Sequence, residues 1–386
     1  MRIAVISNVF PPLAQGGAGQ IAKLQTDWLI NHGHQVSIFT VAPFPEEQSG
    51  GLVSAFASHN ATSFRDLNKK SAWHRFWFHL DDLSANLSAV EAVKNWEPDI
   101  LLTHNLTGCG WSTPSILKDI GLRWIHILHD VQLFEPSGQI IFKESCPGLR
   151  NLWRGFWARL RLRALGDPDI VISPSDWLIS EHKKFGFFKN IKAVKIPNPI
   201  LLTENTNKKT FKTLKDSESP AVVYLGRLAK DKGVEVLIQA WQKLNPRPGR
   251  LELIGDGPLF DYCKNLSDPS ITVLGQLAHE QALERLSNSN LLILPSLVME
   301  NQPTVILEAV QAGANVIAAD VGGVRELLGG YGVVIQPGNA NLLAEAIKEQ
   351  IDQKPNQSAA QKIIGQHSVD KVMPSLVNIM QQLCSS

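Results

Sequence analysis

The chain has 386 residues, long for a single domain, and its 44% apolar against 19% charged residues exclude a disordered protein and allow a large core. Lys and Arg number 37 against 36 Asp and Glu, so the basic excess of a dedicated nucleic-acid binder is missing and no nucleic-acid partner is expected. Cys109, Cys146, Cys263 and Cys384 are scattered without a CxxC, which points to neither a zinc cage nor a disulfide framework and fits a reducing cytoplasm.

In chain order, the apolar run 3–7 is too short for a signal peptide and reads as a buried strand. No stretch approaches the roughly 20 apolar residues of a membrane span. Further Val-, Ile- and Leu-rich runs fall at 36–40, 100–103, 124–128, 170–173 and 194–197. A second series falls at 222–226, 251–255, 271–275, 291–295, 316–319 and 333–335, with helical patterns between. Continuous apolar strands alternating with helices predict parallel sheets covered on both faces. Two series predict two doubly wound α/β domains, 1–198 and 199–368. The boundary lies near Pro197-Asn198-Pro199, and the polar, aperiodic stretch 202–220 reads as a linker. The tail predicts an amphipathic helix with Val369, Val372, Met373, Leu376, Ile379, Met380 and Leu383 on one side, and Pro374 at a start or kink. The stretch 44–82 gives no family pattern.

Two basic-aromatic segments stand out. Residues 149–163 interleave five arginines with Trp153, Phe156 and Trp157, and residues 69–79 carry Trp73, Phe76, Trp77 and Phe78. Each is either a core helix with a solvated basic face, Trp153 and Trp157 packing on the sheet, or a surface for anionic lipid or a lipid-linked or anionic acceptor.

The chemistry concentrates at strand ends, where open α/β sheets bind ligands. After the run ending at Pro295, Pro303 is placed as first residue of a helix. The amides of Thr304, Val305 and Ile306 would then point out unpaired at its positive end, a ready site for a diphosphate. Glu300 precedes that helix. Glu308 lies one and a half turns inside it and leans back toward its start, so the two carboxylates bracket the anion site. In 224–234, Gly226 permits a tight exit from the strand, Arg227 offers a planar fork to phosphate oxygens and Lys232 a point charge. The glycines of 16–19, Gly16 and Gly17 among them, allow a close approach of backbone to ligand but do not spell GxGxxG. His104-Asn105 and His129-Asp130 follow two first-domain strands as candidate acceptor-side groups, His129-Asp130 being read as a pair. Asp167-Pro168-Asp169 is literally a DxD, but it reads as a turn before a strand, so no metal site is expected.

In this order, these pieces resemble the group-one family of retaining glycosyltransferases with the GT-B fold, which includes bacterial mannosyl- and glucosyltransferases of surface polysaccharides. The match rests on Glu300-x7-Glu308, Gly226-Arg227-Leu228 with Lys232-Gly233, and the stretches 253–258, 172–175, 196–199 and 320–326. The resemblance implies two Rossmann-like domains facing a cleft, with 369–386 crossing back onto the first. It also implies that Arg227 and Lys232 hold donor phosphates and Glu308 the ribose. Glu300, with Asn301, Gln302, Pro303, Thr304 and Val305, would hold sugar and diphosphate. Gly16 and Gly17 would close over the sugar, and His129 would touch it near the reacting carbon. Asn301 stands where glycine is frequent and would bear on donor choice. No cofactor is implied beyond the nucleoside-diphosphate sugar; the acceptor would be a glycan or lipid-linked molecule, with peripheral membrane contact through 149–163. The competing readings are a sugar-nucleotide epimerase, a non-catalytic sugar-nucleotide or glycan binder, and a nicotinamide dehydrogenase. The last is disfavoured by the missing GxGxxG.

Overall fold

The computed structural model describes residues 1–8, 10–11, 17–41, 53–56, 67, 70–143, 146–201 and 221–385. The linker 202–220 and Gly16 lie outside the described residues. The chain divides into two compact units, one of Met1–Gln139, Ser145–Pro199 and Val369–Ser386, the other of Ile140–Glu144 and Ile200–Ser368.

The first unit carries β1 (Arg2–Ile6), β2 (Gln35–Val41), β3 (Val53–Phe56), β4 (Ile100–Thr103), β5 (Arg123–Ile127), β6 (Ile170–Ser173) and β7 (Lys192–Lys195). They form one parallel sheet of order β3-β2-β1-β4-β5-β6-β7. Strands β4 and β6 are buried at every residue, which is why they read as unbroken apolar runs rather than alternating ones. Strand β3 escaped the sequence reading. It is a four-residue edge strand with its two middle residues exposed, and so has no apolar run.

The second unit carries β8 (Ala221–Leu225), β9 (Arg250–Ile254), β10 (Ile271–Gly275), β11 (Leu291–Leu294), β12 (Asn315–Ala319) and β13 (Val333–Ile335). These are again all parallel, in the order β10-β9-β8-β11-β12-β13. Both sheets reverse their winding once, between β1 and β4 in the first and between β8 and β11 in the second, and the carboxyl ends of those strand pairs are where such sheets bind ligands.

Helix Val369–Cys384 runs on through Pro374 as one element. Its buried Val369, Val372, Met373, Leu376 and Met380 complete the core that holds Ile3, Val5, Ala22 and Leu29 of the first unit. The excursion Ile140–Glu144, expected in the first domain, belongs to the second unit. Ile141 bridges Val298, the Phe142 amide donates to the Leu297 carbonyl and Met299 donates to Ile140.

Candidate functional site

At the switch point of the second sheet, the loops after β8 and β11 are locked together by backbone. The amides of Leu297 and Val298 donate to the Asp231 carbonyl at 2.9 and 3.2 Å. Gly233, at φ 73°, lies so close that a Cβ there would sit 1.9 Å from the Pro295 carbonyl oxygen. From the next loop, Gly322 abuts Glu300, where a Cβ would come within 2.0 Å of the Glu300 carbonyl, and the Gly323 amide donates to that carbonyl at 2.8 Å. Any side chain at either glycine would push the loops apart.

This stitching brings Lys232 and Glu300 together, 68 residues apart in sequence, with Nζ 2.6 Å from Oε1. The Ser296 hydroxyl donates to the same carboxylate oxygen at 2.9 Å. Arg227, half exposed, pairs with Asp231 at 2.6 Å, while the buried Tyr224 phenol donates to the Arg227 carbonyl at 2.7 Å and holds the turn at Gly226. Both cations expected to face phosphate are thus engaged with carboxylates. Around them, Asn301 and Gln302 are half-buried.

Helix Thr304–Ala312 starts one residue later than expected. Pro303 is its N-cap, at φ −66° and ψ 118°, and Thr304 its first residue. The Ile306 amide, expected to point out unpaired, instead donates to the Pro303 carbonyl at 3.1 Å. The tight first turn consumes one donor, leaving Thr304 and Val305 as the amides that no preceding helical carbonyl can serve. Glu308 is half-buried, and burial raises its pKa, with His279 opposing. Among the described residues it has no hydrogen-bond partner, so its carboxylate remains available to an incoming hydroxyl.

At the switch point of the first sheet, the loop after β4 is stitched to its neighbours. The Asn8 amide donates to the Asn105 carbonyl and its side chain to the Thr107 carbonyl, both at 2.9 Å. Toward β5, His104 Nδ1 lies 2.7 Å from His129 Nε2, the Asn105 amide group donates to Asp130 at 3.0 Å, and the Thr107 hydroxyl donates to Gln132 at 2.8 Å. The sequence reading paired His129 with Asp130; the structure pairs His129 with His104 and Asp130 with Asn105. These residues, with Trp111, His126, Leu128 and Leu133, line a cavity of about 10 Å³, room for a single water. Burial holds His129 down to about 4, and it holds His104, beside His129 and His126, well below the usual histidine value. At neutral pH the two rings are therefore uncharged and share one proton across their contact. Burial likewise lifts Asp130 to about 6. Gly17 opens helix Gly17–Asn31, is exposed, and faces open space where a Cβ would stand.

Both charged segments singled out in the sequence are engaged by partners elsewhere in the first unit. Asp169 accepts from the Trp124 amide at 2.8 Å and pairs with Lys118 at 3.2 Å, so the DxD is a structural turn. The arginines of 149–163 do not share one face. Helix Pro147–Leu165 buries Arg154, paired with Glu135 at 3.0 Å, and Arg161, stacked on Trp111 and Trp157 at 4.8 and 5.3 Å. Arg161 also donates to the Gln132 carbonyl and to His79 Nδ1. Beside them Asp82 accepts the Gly108 and Gly110 amides at 2.9–3.1 Å. Composition cannot reveal this cluster, because an arginine on a helix normally reads as surface. Arg161→Gln is expected to cost about 2–4 kcal/mol in urea unfolding, since it removes buried hydrogen bonds to the Gln132 carbonyl and His79 and the stacking on two tryptophans. The exposed Arg163→Gln should cost under about 0.5 kcal/mol. Equal stabilities would show that the cluster carries no net energy.

Comparison with known proteins gives the same answer along most of the chain. Residues 205–366 match the family model for glycosyl transferases group 1, and residues 15–204 the model for glycosyltransferase family 4. Over 369 residues the chain is 26% identical to TuaC of Bacillus subtilis (strain 168), assigned to teichuronic acid biosynthesis as a glycosyltransferase, covering 90% of this chain and 88% of that protein. Among solved structures, sucrose-phosphate synthase from Thermosynechococcus elongatus superposes with a TM-score of 0.74 at 20% identity, over 100% of this chain and 99% of that one. HepE of Anabaena, solved in complex with UDP-glucose, superposes with a TM-score of 0.69 at 18% identity, over 99% and 100%. The fold is therefore GT-B. The chain belongs to the group 1 glycosyltransferases, enzymes that move a sugar from a nucleotide-sugar donor.

Proposed function

We propose that the protein is a cytoplasmic, retaining hexosyltransferase that moves a hexosyl group from a nucleoside-diphosphate sugar to a glycan or lipid-linked acceptor, working peripherally at the inner face of the membrane. The observation that carries the donor side is the convergence at the second sheet's switch point. There a cation, a carboxylate and the start of a nine-residue helix meet, just over one turn before Glu308, which has no hydrogen-bond partner among the described residues. Lys232 and Arg227 exchange their carboxylate partners for donor phosphate oxygens. The Thr304 and Val305 amides add the helix's positive end, and Asn301, Gln302 and Pro303 shape the turn between sugar and diphosphate. Glu308 accepts from the ribose hydroxyls and Glu300 from the sugar. His129, Gly16 and Gly17 contact the sugar, with His104, Asn105 and Asp130 on the acceptor side.

Catalysis on this reading is positioning plus stabilisation of the departing diphosphate charge. The acceptor attacks the face that the leaving group vacates, and a diphosphate oxygen takes the acceptor's proton. Because the cations and amides already oppose the diphosphate charge, the reaction is proposed to need no metal. The contact of His104 with His129 couples the tautomer of one ring to that of the other, and so bears on what His129 offers the sugar.

The test separates the two glutamates. Glu308→Ala should weaken binding of the free nucleoside diphosphate by about tenfold or more, through loss of hydrogen bonds to a charged group. Glu300→Ala should leave that affinity within a few-fold and lower transfer instead. Calorimetric titration with a diphosphate chosen from a thermal-shift panel measures both, and equal losses would overturn the division of roles. Release of diphosphate that proceeds fully without acceptor would favour the epimerase reading.

A further inference from the structure

Helix Pro147–Leu165 has two unlike faces. Its inner stripe, Arg154, Trp157, Ala158, Arg161 and Leu165, is buried. Its outer stripe begins apolar, with Leu149 and Leu152 69% and 73% exposed and Trp153 and Phe156 about 40% exposed, and ends cationic at Arg159 and Arg163. Helix Ala72–Asp81 brings a matching end, with Trp73 69% and Trp77 50% exposed. The two ends are one surface. Phe76 lies 6.2 Å from the Trp153 ring and 5.7 Å from the Trp157 ring, and Trp73, Phe76 and Trp77 pack edge-on or stacked within 6.0 Å of one another.

Around these rings the charge is predominantly positive, the exposed Asp81 at the end of helix Ala72–Asp81 apart. Residues 70–80 and 146–165 contain no Asp or Glu, in a chain whose net charge is only +1. Lys70, Arg75, Arg150, Arg159 and Arg163 are exposed. The inner stripe's Arg154–Glu135 ion pair and the stacking of Arg161 on Trp111 and Trp157 hold the platform in place, so the exposed rings are displayed rather than loosely packed.

We infer that these two helix ends form a single docking surface for the headgroup layer of an anionic lipid bilayer. The inference rests on the peripheral-membrane part of the proposed function and gives it a site. Indole rings favour the boundary where one edge is apolar and the other wet. Cations ringing such an apolar patch complement anionic headgroups, and together they hold a helix in the interface without crossing it. No helix among the described residues is long and apolar enough to span a membrane. The buried Arg154 and Arg161 take no part. Neutral glycan would leave the ring of cations unanswered, and a second copy of the chain would set cation against cation.

Flotation of the full chain with vesicles tests this, using phosphatidylcholine alone or mixed with phosphatidylglycerol, at low and high salt and without any nucleotide sugar. Wild type should float with the anionic vesicles and be released by salt. Changing Arg150, Arg159 and Arg163 together to Gln should lower partitioning on the order of a hundredfold. Trp73→Ser with Trp77→Ser should lower it about tenfold or more, as should Leu152→Ser with Trp153→Ser. Leu342→Ser, an exposed apolar residue of the second unit, should change nothing. Circular dichroism and melting point confirm that each variant folds.

The dock is overturned if wild type stays with the soluble fraction on both vesicle types. It is also overturned if sedimentation shows a concentration-dependent dimer that the tryptophan variant abolishes while no vesicle binds. If the Trp73 and Trp77 variant floats like wild type, the joint two-helix surface is wrong. Because no donor is present, a failed dock and a failed transferase reading are separate results.

Discussion

Lys232→Ala is expected to lower sugar transfer about a hundredfold while both units stay folded. The side chain is a quarter exposed on a loop, so no core is opened. Its loss removes one charge-assisted contact to the departing diphosphate, a contact of about 1.5–3 kcal/mol. It also leaves Glu300 without its cation, 2.6 Å away in the structure, so an uncompensated negative charge faces the site that must bind phosphate. Arg227→Ala should cost less, about tenfold, because that guanidinium is half exposed and its field is screened. Initial rates of acceptor-dependent diphosphate release, with melting points as a control on folding, measure both effects. Activity within threefold of wild type in Lys232→Ala would remove the residue from the phosphate site. Lys232→Arg separates charge from shape, since a fork in place of a point charge should restore affinity more than turnover if the geometry around Glu300 matters.

The second large effect is acid sensitivity of the first unit. Burial depresses His79 and His126 to about 3 and His182 to about 4, and drives the fully buried His104 well below the usual histidine value. An unfolded chain protonates these four near their ordinary value of about 6.5, whereas the folded unit does not. Between about pH 6 and 4 the unfolded state therefore binds more protons, and stability falls as the pH falls. Asp82 opposes this, because burial raises it to about 7 and the folded unit holds its proton where the unfolded chain has lost it. The half-buried His129 and Asp130 offset one another in sign. Four histidines against one carboxylate leave a net uptake of about three protons on unfolding, a slope of a few kcal/mol per pH unit.

Tryptophan fluorescence suits the measurement, since nine of the ten tryptophans lie in the first unit and only Trp241 in the second. The fluorescence-detected melting point should drop steeply below about pH 6. A flat profile down to pH 5 would mean that the buried rings accept protons in the folded state, and the neutral His104–His129 pair would be lost with it.

What could be seen in the sequence follows from which forces are local. Fully buried parallel strands must be apolar at successive positions, so β4, β6 and β11 could be read directly. Glu300 and Glu308 could be placed because strand ends and helix starts carry their own signals, Pro303 among them. Most of the details that failed depend on distant partners. No local signal says that Lys232 will meet Glu300, 68 residues on, because the contact is made by Gly233 and Gly322 admitting neighbouring backbones. The Ile306 amide is a local miss of another kind: Pro303 is the N-cap rather than the first helical residue, so the tight first turn reaches back to its carbonyl. Arg161 misled for the same reason as Lys232: its counter-charges and stacking partners come from positions 82, 111 and 132, which only the tertiary fold gathers. The edge strand β3 and the excursion at Ile140–Glu144 are too short for their own sequence to place them, since each is set by pairing with a strand or loop elsewhere.

The placement of helix Val369–Cys384 has a consequence for how the protein comes to exist. A two-unit chain would ordinarily acquire structure from the front as it is synthesised, each part closing before the next is made. Here the apolar floor beneath Ile3, Ala22 and Leu29 is supplied by residues translated after the whole second unit. The first unit must therefore wait on the ribosome with that floor open, while roughly half the message is still being read. Synthesis rate, chaperone holding and any early stop codon all act on that interval, so the yield of active enzyme depends on how quickly its last helix arrives.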